Sequence, residues 1–146
     1  MMSSMKPDVL IRVLQEQTNQ KFVRQDSIKN EVVIEIPGEK LQEVVIALLN
    51  QLDFYHLTTI TVQDRGDDID QLEVQYNFWK GFGLTLLIRL AKDSAVLSSI
   101  TDIIPGADFY EREAAEMFGI QFANRTETPP LLLPDDWDSD PPMLKK

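Results

Sequence analysis

The clearest structural signal in this chain is Leu72-Glu-Val-Gln-Tyr-Asn-Phe-Trp-Lys-Gly-Phe-Gly-Leu-Thr-Leu-Leu-Ile-Arg-Leu90. Apolar residues recur at every second position in two runs, which is the period of a β-strand with one buried face. The connector between the runs, Trp79 to Gly83, is rich in glycine and has the length of a hairpin loop of about five residues. The stretch therefore predicts two adjacent antiparallel strands.

The segments before this hairpin extend the sheet and supply helices. Residues 31–36 and 57–63 are rich in β-branched side chains and end at turn-forming residues, so both are predicted strands. Between them, residues 41–52 carry an apolar stripe at helical spacing, and Pro7 to Gln17 shows a shorter stripe of the same kind. This order predicts an α+β fold in which helices pack on one face of a mostly antiparallel mixed sheet.

A short capped helix is predicted after the sheet. Asp108 is a suitable N-cap with Glu111 as its capping-box partner, and Gly119 stands where a C-cap glycine belongs. The buried stripe is predicted to be Tyr110, Ala114, Met117 and Phe118. The opposite, charged face is predicted to carry Glu111, Arg112, Glu113 and Glu116, with Arg112 and Glu116 forming an ion pair one turn apart.

The last part of the chain lacks periodicity. Residues 1–122 are predicted to form the α+β domain, and residues 123–146 an irregular, acidic, proline-rich tail. Leu131, Leu132, Leu133 and Trp137 are apolar residues in this tail that require burial, either on this domain or on another chain. The tail is therefore predicted to bind a partner and to become ordered on it.

Composition excludes several classes of function. The 146 residues contain 14 Lys and Arg against 24 Asp and Glu, a formal charge of -10 that argues against nucleic acid and anionic membrane surfaces as partners. The chain has no cysteine and one histidine, His56, which leaves no thiolate for an iron–sulfur cluster and no histidine cluster for zinc. No stretch is long and apolar enough to span a bilayer. A cytosolic, acidic protein without a metal site of its own is the expectation.

Two patterns with possible chemistry have structural interpretations that are stronger. Glu113 and Glu116 share a helix face and could act as an acid–base pair, but a solvated face is the more common arrangement. Lys80 with Gly81 and Gly83 matches neither phosphate-binding fingerprint, and the glycines fit a hairpin better. His56 is expected to be a partly buried structural residue.

A longer motif carries a resemblance: Ser98-Ser-Ile-Thr-Asp-Ile-Ile-Pro-Gly-Ala-Asp-Phe-Tyr-Glu-Arg-Glu-Ala-Ala-Glu-Met-Phe-Gly-Ile-Gln-Phe122. It resembles the signature of the 30-kilodalton subunit, designated C, of respiratory complex I, a family with relatives in membrane-bound hydrogenases and deazaflavin dehydrogenases. The segments 131–137 and 141–145 are similar to the end of that family's domain. Glu116 replaces the usual aspartate, and residues 124–130 replace a Gly-His-Pro segment typical of NADH-linked members.

The resemblance implies a non-redox accessory or scaffold subunit in the peripheral arm of a complex I-like, membrane-associated oxidoreductase. The implied partners are a large, hydrogenase-like subunit and a small iron–sulfur subunit, and the implied location is the cytoplasmic face of the membrane. The chain itself is expected to hold no cofactor, since the clusters belong to other subunits. The residues expected to bind partners are Tyr110, Glu111, Arg112, Glu113, Glu116, Phe118, Gly119, Leu131, Leu132, Leu133 and Trp137.

Two alternatives remain open at this point. The chain could be a free-standing interaction module or assembly factor of the same fold, or a small acid–base enzyme that uses Glu111, Glu113 or Glu116. The electron donor (NADH, a deazaflavin or a ferredoxin) and the acceptor (quinone or protons) also remain open, and no residue of the chain identifies either.

Overall fold

The computed structural model describes residues 23–25, 31–52, 54, 56–64, 70–81, 83–125 and 141–142, with Arg12 and Gln15 as isolated positions. Most of the predicted N-terminal helix therefore lies outside the described residues, although Arg12 and Gln15 are both helical. Most of the predicted tail lies outside them as well.

Within the described residues, the main sheet has five strands. These are β1 (Val23–Gln25), β2 (Glu31–Glu35), β3 (Leu57–Asp64), β4 (Gln71–Trp79) and β5 (Gly83–Ala91). Their spatial order is β1-β2-β5-β4-β3, with β2 and β5 parallel and every other neighbouring pair antiparallel. The predicted α+β class and the mostly antiparallel mixed sheet are confirmed.

The β4–β5 hairpin is tighter than predicted. Trp79 pairs with Gly83, so the loop between the two strands is shorter than the expected five residues. Gly81 adopts a φ of 76°, a left-handed conformation that glycine reaches without steric cost. The Lys80 ammonium donates a hydrogen bond of 2.7 Å to the carbonyl of Leu52, so it ties the hairpin to the preceding helix. The structural interpretation of these glycines is therefore supported.

Helix α1 (Leu41–Leu52) matches the prediction closely. Its apolar stripe faces the sheet, and the side chains buried there are those of Leu41, Val44, Val45, Ala47, Leu48 and Leu52. Ile46 points away from the sheet and is 44% exposed. The helix connects β2 to the edge strand β3, and the chain then returns through β4 to place β5 parallel to β2.

The core lies between one face of the sheet and the helices. The large, fully buried side chains include Ile34, Phe54, Leu72, Tyr76, Phe78, Leu84, Leu86 and Ile88. Burying one such side chain contributes about 1.5–3 kcal/mol, so this layer dominates the stability of the domain. The opposite face of β5 carries Thr85, Leu87 and Arg89, and Arg89 forms ion pairs there with Glu73 at 2.6 Å and Glu35 at 3.3 Å.

A second, smaller sheet follows the main one. It consists of β6 (Val96–Ser98) and β7 (Gln121–Ala123), which pair in parallel, and helix α2 (Ala107–Phe118) connects them. Sequence patterning missed both strands because three residues are too few to show a period of two. β7 crosses the predicted boundary between residues 122 and 123, although the division of the chain into a domain and a tail stays a prediction.

The predictions for the two caps of α2 and for His56 have different outcomes. The N-cap assignment of Asp108 is wrong, because α2 begins at Ala107 and its N-cap residue is Gly106, without a side-chain capping bond. The C-cap assignment is confirmed, since Gly119 has a φ of 77° and its amide donates to the carbonyl of Ala115 at 3.0 Å. His56 is exposed rather than partly buried.

Candidate functional site

Helix α2 carries the signature residues, and its position is set by a buried stripe with an acidic member. Ala107, Glu111 and Ala114 are its buried residues and follow one another at spacings of four and three. Tyr110 and Phe118 are partly buried and pack against the core. The small alanines let α2 pack closely against β3, at the side of the sheet where Tyr76 of β4 also lies.

The carboxylate of Glu111 is the centre of a buried polar cluster. Its side chain has no exposed surface. One oxygen accepts hydrogen bonds from the Ser99 hydroxyl at 2.7 Å and from the Arg125 guanidinium at 2.7 Å. The other oxygen accepts from the amide of Ile100 at 2.8 Å. A buried charge is tolerated when it is paired and hydrogen-bonded in this way, so Glu111 fastens α2 to the loop after β6.

Arg125 completes the cluster from the segment after β7. One of its guanidinium nitrogens binds Glu111 and another binds the carboxylate of Asp108, one turn earlier on α2. The Arg125 side chain is 13% exposed. We refer to Ser99, Ile100, Asp108, Glu111 and Arg125 together as the α2 clamp, because these contacts hold both ends of the β6–α2–β7 unit. Sequence reasoning missed Arg125, which fell in a segment assigned to the irregular tail.

Tyr76 lies beside the clamp in the core. Burial raises the pKa of its phenol well above the ordinary value, and the nearby negative charge of Glu111 raises the pKa further. Its hydroxyl is buried and makes no hydrogen bond within the described part of the chain. Tyr76 therefore stays neutral and acts as a core residue. The alternation of apolar side chains along β4 had predicted its inward orientation.

The outer face of α2 combines one exposed aromatic ring with charged side chains. Phe109 is 48% exposed, and its ring meets that of Tyr110 edge to face, with centroids 5.7 Å apart. Arg112 lies one turn after Asp108 and forms an ion pair with it at 3.6 Å. Glu113 and Glu116 are half-buried on the same side of the helix. Phe109, Arg112, Glu113 and Glu116 follow the spacing i, i+3, i+4, i+7 of one helix face.

The structure separates the predicted site residues into three groups. The placement of Glu111 on the charged face is wrong, because its side chain is wholly buried and its carboxylate is occupied by the clamp. Arg112, Glu113, Glu116 and Gly119 retain surface, whereas Tyr110 and Phe118 are partly occupied by the core. Leu131, Leu132, Leu133 and Trp137 lie outside the described residues. The partner-binding roles and the Arg112–Glu116 pair stay predictions.

The arrangement offers little to acid–base chemistry. A carboxylate without solvent access, with its oxygens engaged by three donors, is not placed to exchange a proton with a substrate in this conformation. Across the described residues, no group of three or more His, Cys, Asp or Glu side chains could hold a metal ion. In the same part of the chain, no helix combines the length and the apolar character needed to cross a membrane.

The family model described as "Respiratory-chain NADH dehydrogenase, 30 Kd subunit" matches residues 34–146. The chain therefore belongs to this family, and the resemblance seen in the sequence is confirmed.

Two relatives illustrate the range of the family. The subunit designated C in the F420H2 dehydrogenase of Methanosarcina mazei is 34% identical over 113 residues, which cover 75% of this chain and 71% of the relative. The subunit with the same designation in the NADH-quinone oxidoreductase of Chloroherpeton thalassium is 34% identical over 95 residues, which cover 62% of this chain and 39% of that protein. The similarity thus spans most of the first relative but well under half of the second.

Solved structures share the fold at lower sequence identity. One chain of the membrane-bound sulfane sulfur reductase, described as an archaeal respiratory membrane complex, superposes with a TM-score of 0.76 at 19% identity and covers 88% of this chain and 77% of its own. The trypsin-resistant fragment of Nqo5 gives a TM-score of 0.66 at 24% identity, with 80% of this chain and 97% of the fragment covered. Both similarities support the same architecture.

Proposed function

We propose that this chain is a non-redox accessory subunit in the peripheral arm of a complex I-like, membrane-associated oxidoreductase. Its role is to pack on the large, hydrogenase-like subunit and the small iron–sulfur subunit of that complex and so to support electron transfer between groups that they hold. It carries no cofactor itself, and it works at the cytoplasmic face of the membrane. The electron donor and acceptor belong to the assembled complex.

One observation carries this proposal: the family match runs through the whole of α2 and the clamp, from residue 34 to residue 146. Both relatives are subunits by name, one of an F420H2 dehydrogenase and one of an NADH-quinone oxidoreductase. The geometry agrees with a binding role, because Glu111 is committed to the fold while Arg112, Glu113 and Glu116 face outward on a fixed helix.

Purification of the tagged chain from membranes of its own host tests the proposal. Detergent extraction at low salt, followed by size-exclusion chromatography and mass spectrometry, should recover the chain in a stoichiometric complex with a large and a small iron–sulfur subunit. The ultraviolet–visible spectrum and metal content of the chain expressed alone should show no bound flavin, haem or iron. Recovery of the chain only as a free monomer would contradict the assignment.

The same experiment addresses the assembly-factor alternative. An assembly factor would associate transiently, so it would be found with partly built complexes and be absent from the mature, active enzyme. A subunit would remain at one copy per complex through activity-based purification. Pulse labelling of the tagged chain during growth distinguishes the two, because only a subunit stays with the mature complex after the chase.

A further inference from the structure

We infer that Phe109 is the anchor of a docking surface on α2, and that its ring inserts into an apolar pocket bordered by basic side chains on another subunit. The inference rests on the proposed function and deepens it, since it names the residue that makes the contact and the chemistry of the surface that receives it. Phe109 is not among the partner-binding residues that the sequence predicted.

The ring of Phe109 is exposed to solvent. Four large hydrophobic side chains in the described ranges are more than two-fifths exposed, namely Ile46, Trp79, Val96 and Phe109. A single exposed apolar residue is common on protein surfaces and means little by itself. Phe109 differs from the other three because it lies on α2, in the turn that the clamp holds.

Neighbouring contacts restrict the orientation of the Phe109 ring. The edge-to-face contact with Tyr110, at an interplanar angle of 90°, restricts how the ring of Phe109 can turn. Arg125 binds Asp108 immediately before Phe109 and Glu111 two residues after it, so the backbone of this turn is held on both sides. An aromatic side chain that is ordered before binding loses less conformational entropy on association, which is the property of an interface anchor.

Acidic side chains surround the Phe109 ring. The carboxylates of Asp108, Glu113 and Glu116 lie within two turns of Phe109 on α2. The guanidinium groups of Arg112 and Arg125, which both bind Asp108, are the basic groups beside them, so carboxylates are in excess. The border of the exposed ring is therefore net negative, in a chain whose formal charge is -10. Complementary potentials favour a partner surface that presents Lys or Arg around an apolar depression.

This charge also selects the occupant. A second copy of the chain would bring the same acidic face against itself, and like charges across an interface disfavour association. The observations therefore favour a different subunit over a homodimer. Under the proposed function, the occupant is the large subunit of the same complex.

Binding of the full chain to the purified, immobilised large subunit tests this inference, with the small iron–sulfur subunit present and absent. Phe109→Ala should weaken the equilibrium affinity about 30-fold or more, the loss expected of an interface hot spot. Phe109→Leu should give an intermediate loss, since it keeps an apolar side chain that fits a helix. Trp79→Ala is the matched control, because Trp79 is 51% exposed but lies at the end of β4, and it should bind like the unmodified chain.

The charge border is tested separately with a Glu113→Gln, Glu116→Gln double variant. It should lower the association rate constant and flatten its dependence on ionic strength, while leaving the dissociation rate nearly unchanged. Circular dichroism and thermal melting of every variant show that the fold is retained. If Phe109→Ala has a lower melting temperature than the unmodified chain, the affinity of Phe109→Leu is used to judge the role of the ring.

The outcomes separate the two proposals. If the unmodified chain fails to bind either subunit, the proposed function fails and the inference fails with it. If the unmodified chain binds but Phe109→Ala and Phe109→Leu bind equally well, only the inference is overturned. Equal losses in the Phe109 and Trp79 variants would overturn the assignment of the anchor to α2, and so would a dimer of the isolated chain that depends on Phe109.

Discussion

Replacing Arg125 with Met is the sharpest test of the α2 clamp. The change removes the guanidinium but keeps much of the aliphatic stem, so it isolates the loss of the charge. The Glu111 carboxylate then remains inside the domain with the Ser99 hydroxyl and the Ile100 amide as donors and without a cation. Arg125→Met therefore converts a paired buried charge into an uncompensated one.

The expected cost follows from the burial of the two partners. Removing one partner of a buried ion pair costs about 3–5 kcal/mol of folding free energy. The two remaining neutral donors favour the lower end, about 3 kcal/mol, because hydrogen bonds to a charged group keep part of its stabilisation. The ion pair with Asp108 adds little, since the Asp108 side chain is 45% exposed and solvent screens it. With about 2–4 °C per kcal/mol for a chain of this size, the melting temperature should fall by roughly 6–12 °C.

Thermal and urea unfolding of the full chain measure this loss. A double-mutant cycle that combines Arg125→Met with Glu111→Gln shows how much of the lost stability comes from the contact between the two side chains. The coupling free energy between Glu111 and Arg125 should be about 1–3 kcal/mol. Arg89→Met is a suitable control, because Arg89 also binds two carboxylates but its side chain is 34% exposed, so a smaller effect is expected. A melting temperature for Arg125→Met within about 1–2 °C of the unmodified chain, by the scale used above, would refute the clamp as a stabilising element.

Four further substitutions have expected outcomes in unfolding and co-purification measurements. Gly119→Ala should destabilise the domain by about 1 kcal/mol, because its φ of 77° disfavours a side chain. Gly106→Ala should be neutral or slightly stabilising, because Gly106 has a φ of -63° and open space at the Cβ position. Tyr76→Phe should be at least as stable as the unmodified chain at neutral pH, because it removes a buried hydroxyl that makes no hydrogen bond within the described residues. Above about pH 10 its relative stability should rise: the folded-state pKa of Tyr76 is raised, so only the unfolded phenol ionises there, and the unmodified chain loses stability as the pH rises. Parallel melts from about pH 8 to 11 check this. Arg112→Ala should reduce the free energy of unfolding by about 0.3–0.5 kcal/mol, because solvent screens the ion pair at Asp108, whose side chain is 45% exposed. The same variant should weaken co-purification with the large subunit, and normal assembly would remove the interface role of Arg112.

Most of the main sheet and α1 could be predicted because their periodicity is long. β4 and β5 each extend over nine residues, so an alternating pattern repeats often enough to fix which face is buried. β6 and β7 have three residues each and could not be recognised in this way. Their pairing joins segments far apart in the chain, and local sequence preferences contain no information about such a contact.

The clamp was missed for a different reason. The sequence predicts a capping role for Asp108 and a place on the charged face for Glu111, because acidic residues usually lie on the surface or near helix starts. The helical phase was the better guide, since Glu111 stands four residues after Ala107 and three before Ala114, on the buried side. No neighbouring residue in the sequence indicates a buried role for Arg125. Its partners Asp108 and Glu111 come close to it only because β7 brings the chain back to α2.

The phase of α2 also explains how one short motif can serve both the fold and a partner. In Glu111-Arg112-Glu113 the first glutamate points inward, while each following residue is rotated by about 100° and faces outward. The inward carboxylate receives donors from the loop after β6 and from the segment after β7, so it fixes the direction in which the helix presents its outer residues. An Asp or Gln at position 111 should therefore disturb the stability of the domain first, because it alters the buried contacts of the clamp. Gln at position 113, which removes only an outward negative charge, should disturb association alone.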